Sequence, residues 1–514
     1  MLHKVVLIFS FLVIAIPASA KDFYIAATQL GSGSGTACST AKPYTWFNDK
    51  ASWGTGSAQI SPGTTVHLCG TFVGTPGQQL LVVRSSGTST SPITIKFEPG
   101  ANLTAPYWSW QGAISMNGVS YITVDGSLSG IIQNTANGTG KNVQDSRAIY
   151  ASPCNGCVVK NLTIANMYVR TSTNDVAVTQ TAVNCVFWLG SNNFTIDHIV
   201  CHDAGWALAG WGNNFTLANS NLYNIDHGLA FGAAGTTSGF SIHDNHIHGY
   251  VNWDSPTNDY HHDGLHLWGQ GGGTITNGVI YNNLFDGDSG VNITAHIYLQ
   301  DSIQNVSVYN NVFLVPSNRT IVALWFAARS TSGMPGGPAT GNSAYNNFIS
   351  GGGHRLGAAL FVASQLNFTA TNNVLMGGQA DITIQGGGTL SSAGIDHNVY
   401  LELADYGDWN TFGYNRAVYR TLAQWQTVCA CDANSKLVHL SQINANSSGQ
   451  LLPGSVAISA ASNLMRLTTG NLSPLARDMA GALRQVSGNW DAGAYNYGSK
   501  VLPASPSGLT ATVQ

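Results

Sequence analysis

The chain has 514 residues, of which 44% are hydrophobic and only 9% charged, and its 20 Lys+Arg against 24 Asp+Glu give a net charge of −4. Apolar content this high with so little net charge excludes a disordered chain, and the scarcity of Lys and Arg excludes a basic nucleic-acid binder. The heptads of a coiled coil are also missing, so the surface must be built from Ser, Thr, Asn, Gln and the 59 glycines.

Residues 1–20 carry Lys4, an apolar run from Val5 to Ile16 and the small-x-small Ala18-Ser19-Ala20. That pattern predicts a secretory signal peptide, because the run is too short to cross about 30 Å of hydrocarbon. The mature chain is expected to start near Lys21, to be secreted (extracellular or periplasmic) and to have no membrane partner. The 8 cysteines are an even number, which in an exported chain predicts disulfides. Cys38 and Cys69, flanking the N-terminal segment, are the best pair. Cys154 and Cys157 form a C-x2-C with no second pair at zinc-ribbon spacing, so structural zinc is the weaker reading there.

Within 21–110, Phe23-Tyr24-Ile25-Ala26 and Pro92-Ile93-Thr94-Ile95-Lys96-Phe97 predict strands entering the first coils, with a cap over the open end of the core. From about residue 160 an Asn-bearing turn recurs between short strands. Its second Asn falls at 221, 245, 283, 311, 347, 373 and 398, in steps of 24, 38, 28, 36, 26 and 25. A basal step in the mid-twenties is one coil of a parallel β-solenoid, whose coils bury their apolar faces only by stacking. Asn suits such a turn because it tolerates left-handed backbone and its amide can bond the Asn above and below. Propeller blades repeat at about 40 residues and are made of hairpins, and no hairpin spacing recurs.

A second column fixes the register. The strands Cys185–Leu189, Ala207–Trp211, Gly228–Gly232, Gly264–Trp268, His296–Gln300, Ala323–Ala327, Ala359–Ala363 and Asp381–Gln385 align. Their second and fourth positions are nearly always apolar and should face the core, leaving the first, third and fifth outward. The β-helix is expected over 111–405, with a C-terminal extension over 406–514 that includes a short helix at Thr421–Trp425 and a tail at Pro503–Gly508.

Three stretches carry a family likeness: Gly33–Cys38 with Pro62–Phe72, the Asn-Asn coil repeat, and Asn489-Trp490-Asp491-Ala492-Gly493-Ala494-Tyr495. With these the chain resembles the secreted proteins of the pectate-lyase-like superfamily. The resemblance implies an all-β, right-handed parallel β-helix with an N-terminal cap and a C-terminal extension. It leaves the reaction open, because that fold hosts lyases, hydrolases, epimerases and adhesins.

Chemistry is expected on the outward positions, which hold Trp211, His266, Trp268, His296, Tyr298, Gln300 and Trp325. With coils about 4.8 Å apart, His266, Tyr298 and Trp325 should be near neighbours. Asp226-His227 and His261-His262-Asp263 precede these strands, His261 being read as a loop bystander, and Arg329 follows Trp325. The two long steps mark insertions at Trp253–Tyr260 and Gly333–Pro338, expected to wall a groove. A nucleophile elbow, P-loop, His-Glu-x-x-His and EF-hand loop are missing. So are the Asn-Thr-Asp, paired-Asp and Gly-His-Gly pattern of pectin hydrolases and the Arg-x-Pro-x-x-Arg of the best-known pectate lyases.

The leading expectation is a monomeric enzyme cleaving a polysaccharide by β-elimination. His266 or His262 would be the base, Tyr298 the acid, and Arg329 or Gln300 the partner of the uronate. Trp211, Trp268, His296 and Trp325 would line the groove. The runner-up is a glycoside hydrolase using Asp226 and Asp263, with Asp203, Asp254 and Asp259 in reserve; the third reading is a non-catalytic glycan-binding or adhesion solenoid. No cofactor is expected and no residue is assigned to a metal; a calcium ion bridging uronate to Asp would suit elimination, though no ligand spacing supports one.

Overall fold

The computed structural model describes residues 21–176, 179–257, 261–315, 322–329, 336–351, 357–386, 394–402 and 411–499. The predicted signal peptide, Asp259, residues 333–335 and the tail at 503–508 lie outside them.

One coil shows the plan. Val279–Tyr281 runs into the Asn282-Asn283 turn, Leu284–Asp286 follows, and the chain then rounds a corner into Ile293–Gln300. The next coil repeats each strand in parallel, pairing Val279 with Ser307, Leu284 with Val312 and Ile297 with Leu324. The molecule is a parallel β-helix. Among the named strand pairs of the described residues, only Phe412–Tyr414 with Ala417–Tyr419 is antiparallel. Parallel stacking runs on through Phe412–Tyr414 and Lys436–Val438.

The register is the one the sequence predicts, residue for residue. Val186, Leu208, Leu229, Leu265, Ile297, Leu324, Leu360 and Ile382 pair in succession, and all are buried. The expected outward first position is corrected, however. Cys185, Ala207, His296, Ala323, Ala359 and Asp381 are all buried. These residues sit where the chain bends into the sheet, so both sides of the backbone face the interior; Ala295, His296 and Ile297 are buried in succession. Alternation with period two needs a flat strand and begins only after the bend.

The two residues of each Asn turn divide the work. The first takes the left-handed backbone, with φ of 55° at Asn282, 53° at Asn310, 49° at Asn346 and 66° at Asn372. The second is buried and builds a ladder: each Oδ1 accepts from the backbone N–H and the amide of its neighbour, from Asn245 to Asn283, Asn311, Asn347, Asn373 and Asn398. The ladder ends in serines, Ser220 at one end and Ser435 at the other. The first mark therefore belongs at Ser220 rather than Asn221, which pairs in the following strand with His246, and the first step is 25 residues.

Both ends of the core are closed. The helix Tyr44–Asn48 buries Phe47 against Trp53, at 4.9 Å between ring centroids. At the other end Leu422–Cys429 starts on a Thr421–Gln424 capping box and stacks buried Trp425 on Phe412 at 5.3 Å. The run 491–494 docks on the left-handed Asn row through Gly493 N–H to the Asn372 carbonyl and Asn346 Nδ2 to the Gly493 carbonyl. All eight cysteines pair, as Cys38–Cys69, Cys154–Cys157, Cys185–Cys201 and Cys429–Cys431, so Cys154 and Cys157 hold each other and no zinc. Four disulfides fit an oxidising compartment, and among the described residues no helix is long and apolar enough to cross a membrane.

Candidate active site on the outward face

Register sets an aromatic wall. His266, Tyr298, Trp325 and Phe361 occupy one position in four successive coils, with ring centroids 4.7, 5.0 and 5.0 Å apart. Trp268 adds a second column, 4.5 Å from His266 and 5.9 Å from Trp206, and pairs in register with Gln300. Its indole lies across Gly232, where a Cβ would come within 2.4 Å of the ring. Tyr298, Trp268, Gln300 and Trp325 are half-buried. Trp211 is half-buried in Trp268's column two coils away, packed partly against the core.

At one end of the wall imidazoles meet carboxylates. His227 Nδ1 lies 2.7 Å from Asp226 Oδ2, and His262 Nδ1 2.9 Å from Asp226 Oδ1. His262 Nε2 lies 3.0 Å from Asp254 Oδ1, which also accepts from the Val291 and Asn292 backbone N–H groups. Burial, the largest influence on Asp226, pushes its pKa up, but the charge and hydrogen bonds of His227 and His262 outweigh it and hold it at about 2. Burial acts against His227 in turn, and the Asp226 charge overcomes it, raising the pKa to about 9. His262 is likewise raised, its bonds to Asp226 and Asp254 overcoming the burial that opposes them.

Asp263 is the hub. It is wholly buried; its Oδ1 accepts the Ala295 N–H at 3.0 Å. Its Oδ2 faces His227 Nε2 at 3.3 Å, His266 Nδ1 at 3.5 Å and His261 Nε2 at 3.6 Å. The other nitrogen of His266, Nε2, is 3.0 Å from Gln300 Oε1. Burial brings the His266 pKa down to about 4 against the pull of Asp263, so the ring is neutral. Burial and the charges of Asp263 and Asp301 push Tyr298 up to about 12, keeping its hydroxyl protonated at neutral pH.

Several expectations change. His296 is not outward: it is 0% exposed, among the rings of Tyr250, Phe285 and Phe313. His262 cannot act as a base on a substrate, since it is sealed in with both nitrogens on carboxylates. Asp226 and Asp263 cannot flank a glycosidic bond, because both are wholly buried and turned onto imidazoles. Asp203 is taken by His202 at 2.6 Å. Arg329 does reach solvent, its side chain 76% exposed, and pairs with Asp301 at 2.7 Å. Trp253, expected in a groove wall, is buried 5.9 Å from Tyr168. Of the second insertion, the Gly336, Gly337 and Pro338 carbonyls are held by Thr274, Ser302 and Gln304.

His261, expected to be a loop bystander, faces the cluster. Its ring meets those of His227 at 5.2 Å and His266 at 6.1 Å. The missed signal was the likeness of Asp226-His227-Gly228 to His262-Asp263-Gly264, which puts His227 in register with Asp263. Both glycines are needed: a Cβ on Gly228 would lie 2.5 Å from the Gly264 carbonyl oxygen, and one on Gly264 2.4 Å from that of His296. His246, His248 and Asp286 form a second, smaller cluster on the adjoining sheet. Two surface hollows lie elsewhere, one along 482–499 of the extension and one between 238–241 and 470–474.

No protein-family model matches the chain, and no curated protein matches it. Solved structures do. Pectate lyase Pel9A is similar at 13% identity over 93% of this chain and 96% of that one, with a TM-score of 0.43. A mannuronic acid specific polysaccharide family 6 lyase from human gut microbiota is similar at 12% identity over 77% and 82%, TM-score 0.44. The surface protein and adhesin PfbA of Streptococcus pneumoniae is similar at 13% identity over 68% and 89%, TM-score 0.42.

Proposed function

We propose that this chain binds a polysaccharide along the Trp268–Tyr298–Trp325 wall and cleaves it by β-elimination at a uronic acid residue. Half-buried aromatic rings stepped from coil to coil match the flat faces of successive sugars. What favours elimination over hydrolysis is the fate of the carboxylates. Hydrolysis needs two carboxyl groups flanking the bond, and here Asp226 and Asp263 are both spent on buried histidines.

Elimination needs a partner for the uronate carboxylate and proton transfer at the scissile bond. The Gln300 amide, whose Oε1 is engaged by His266, keeps its N–H groups for that carboxylate, with Arg329 at the solvent edge. Tyr298, set between His266 and Trp325, carries the proton both ways: as phenolate it takes the C5 proton, the C4–O bond breaks as the C4–C5 double bond forms, and the phenol so made returns that proton to the leaving oxygen. His266 serves to position Gln300 and Tyr298 rather than to act as a free base, because both its nitrogens face inward partners.

The test is to incubate the mature protein with neutral and uronic polysaccharides, following the absorbance of the unsaturated product together with reducing ends. Both signals on a uronic glycan, abolished by Tyr298→Phe with folding intact, are the expected result. Reducing ends without the absorbance would refute elimination, and binding with neither signal would leave a glycan-binding solenoid.

A further inference from the structure

We propose that His227, His261, Asp263 and His266 form a site for one late first-row divalent metal ion, of the Zn2+ class. One potential ligand atom from each of His227, His261, Asp263 and His266 lies within 4.8 Å of the other three. The three edges running to Asp263 Oδ2 are 3.3, 3.6 and 3.5 Å. A tetrahedral ion held at about 2.0–2.1 Å has donor–donor edges of about 3.3–3.4 Å, which the three edges to Asp263 match within about 0.3 Å, while the edges between histidines are bounded at 4.8 Å.

The hydrogen bonds point the same way. His227 donates from Nδ1 to Asp226, and His266 donates from Nε2 to Gln300 Oε1. His266 therefore turns the lone pair of Nδ1 toward Asp263 Oδ2, and His227 turns Nε2 toward the same oxygen. His227 Nε2 and Asp263 Oδ2 are buried 3.3 Å apart yet make no well-directed hydrogen bond. A metal ion taking the place of the proton on His227 would engage all four groups at once. Asp226 and Gln300 then stand as outer partners fixing the tautomer and aim of two ligands, as they do behind metal-bound histidines generally. Asp254 and His262 in turn brace Asp226. His261, its side chain 47% exposed, leaves a route in from solvent.

Three nitrogens and one oxygen suit Zn2+, Co2+, Ni2+ or Cu2+. They do not suit Ca2+, which takes oxygen ligands, so the calcium considered from the sequence has no home in this cluster. The His246, His248 and Asp286 cluster is a useful contrast, because its groups already satisfy partners: His246 Nε2 on Asp286 at 2.7 Å and His248 Nε2 on Asn221 at 3.0 Å.

The experiment strips the mature, disulfide-intact protein with a chelator and then titrates Co2+, reading the visible d–d bands of a four-coordinate site. Equilibrium dialysis against Zn2+ gives the stoichiometry. One ion per chain is expected, resistant to millimolar Ca2+. His261→Ala, an exposed position, should keep its metal-free melting profile and weaken binding by at least about 100-fold, and Gln300→Ala by about 10- to 100-fold; His246→Ala should leave binding unchanged. Substoichiometric binding, equal binding by His261→Ala, loss in His246→Ala instead, or displacement by Ca2+ would each overturn the site. The inference stands apart from the elimination reading: one ion bound with no glycan cleaved refutes elimination alone, and cleavage by a chain that binds no ion refutes the metal site alone.

Discussion

Asn347→Ala tests what holds the coils in register. The Asn347 side chain is 0% exposed and makes four hydrogen bonds. Its Oδ1 accepts from Asn311 N–H and Nδ2, both at 3.1 Å. Its Nδ2 donates to the Val308 carbonyl at 2.9 Å and to Asn373 Oδ1 at 3.0 Å. Alanine orphans the Asn311 N–H outright, whereas the Asn311 amide keeps the Ile280 and Tyr309 carbonyls and Asn373 Oδ1 keeps the Asn347 N–H. One buried orphan costs about 1–3 kcal/mol and each of the three further lost bonds about 0.5–1 kcal/mol net, so the change should destabilise by about 2.5–6 kcal/mol. Urea unfolding of wild type and variant, compared at matched m-values, reads the difference. The control is Asn214→Gly, at an exposed turn with φ of 54°, where glycine keeps the backbone and the cost should stay near about 0.5 kcal/mol. Equal midpoints for the two variants would mean that the buried amides are not what ties coil to coil.

Two substitutions separate wall from core. Gly232→Ala places a Cβ 2.4 Å from the Trp268 indole; the ring must swing off its coil, costing about 1–3 kcal/mol, and glycan affinity should fall while the Trp268 emission shifts red, so unchanged affinity would remove Trp268 from the binding surface. His296→Leu replaces a buried ring whose two nitrogens have no partner by an apolar group; it should leave glycan cleavage intact and the melting temperature equal or higher, and a loss of cleavage with an unchanged melting profile would return His296 to the groove.

The fold was legible because a solenoid repeats its instructions. Eight strands aligned on sequence alone pair as aligned, and the Asn turns mark nearly every coil. The slip from Ser220 to Asn221 has a plain cause. The ladder needs a short side-chain acceptor at its end, Ser220 supplies one, and the neighbouring Asn221 mimics the pattern one residue late. The outward first position failed for a different reason, since a period-two rule holds along a strand and says nothing about a bend.

That bend is also where the site's charged groups reside, and their absence from the periodic pattern explains why they were harder to find. Tyr298, Trp268 and Trp325 follow from strand alternation, and their rings lie side by side through His266. His227, Asp263 and His261 lie at the entry to the sheet, where the backbone turns and successive coils approach closely enough to require Gly228 and Gly264. A side chain at such a corner can meet groups from its own coil and the next one without belonging to any outward column. Hence Asp226 and Asp263, whose Asp-His and Asp-Gly contexts suggested a hydrolytic pair, turn inward onto imidazoles. The corner collects polar groups out of water, and the flat stretch beyond it carries the half-buried rings. The junction of the two therefore has buried charge behind it and a wall of aromatic rings ahead of it.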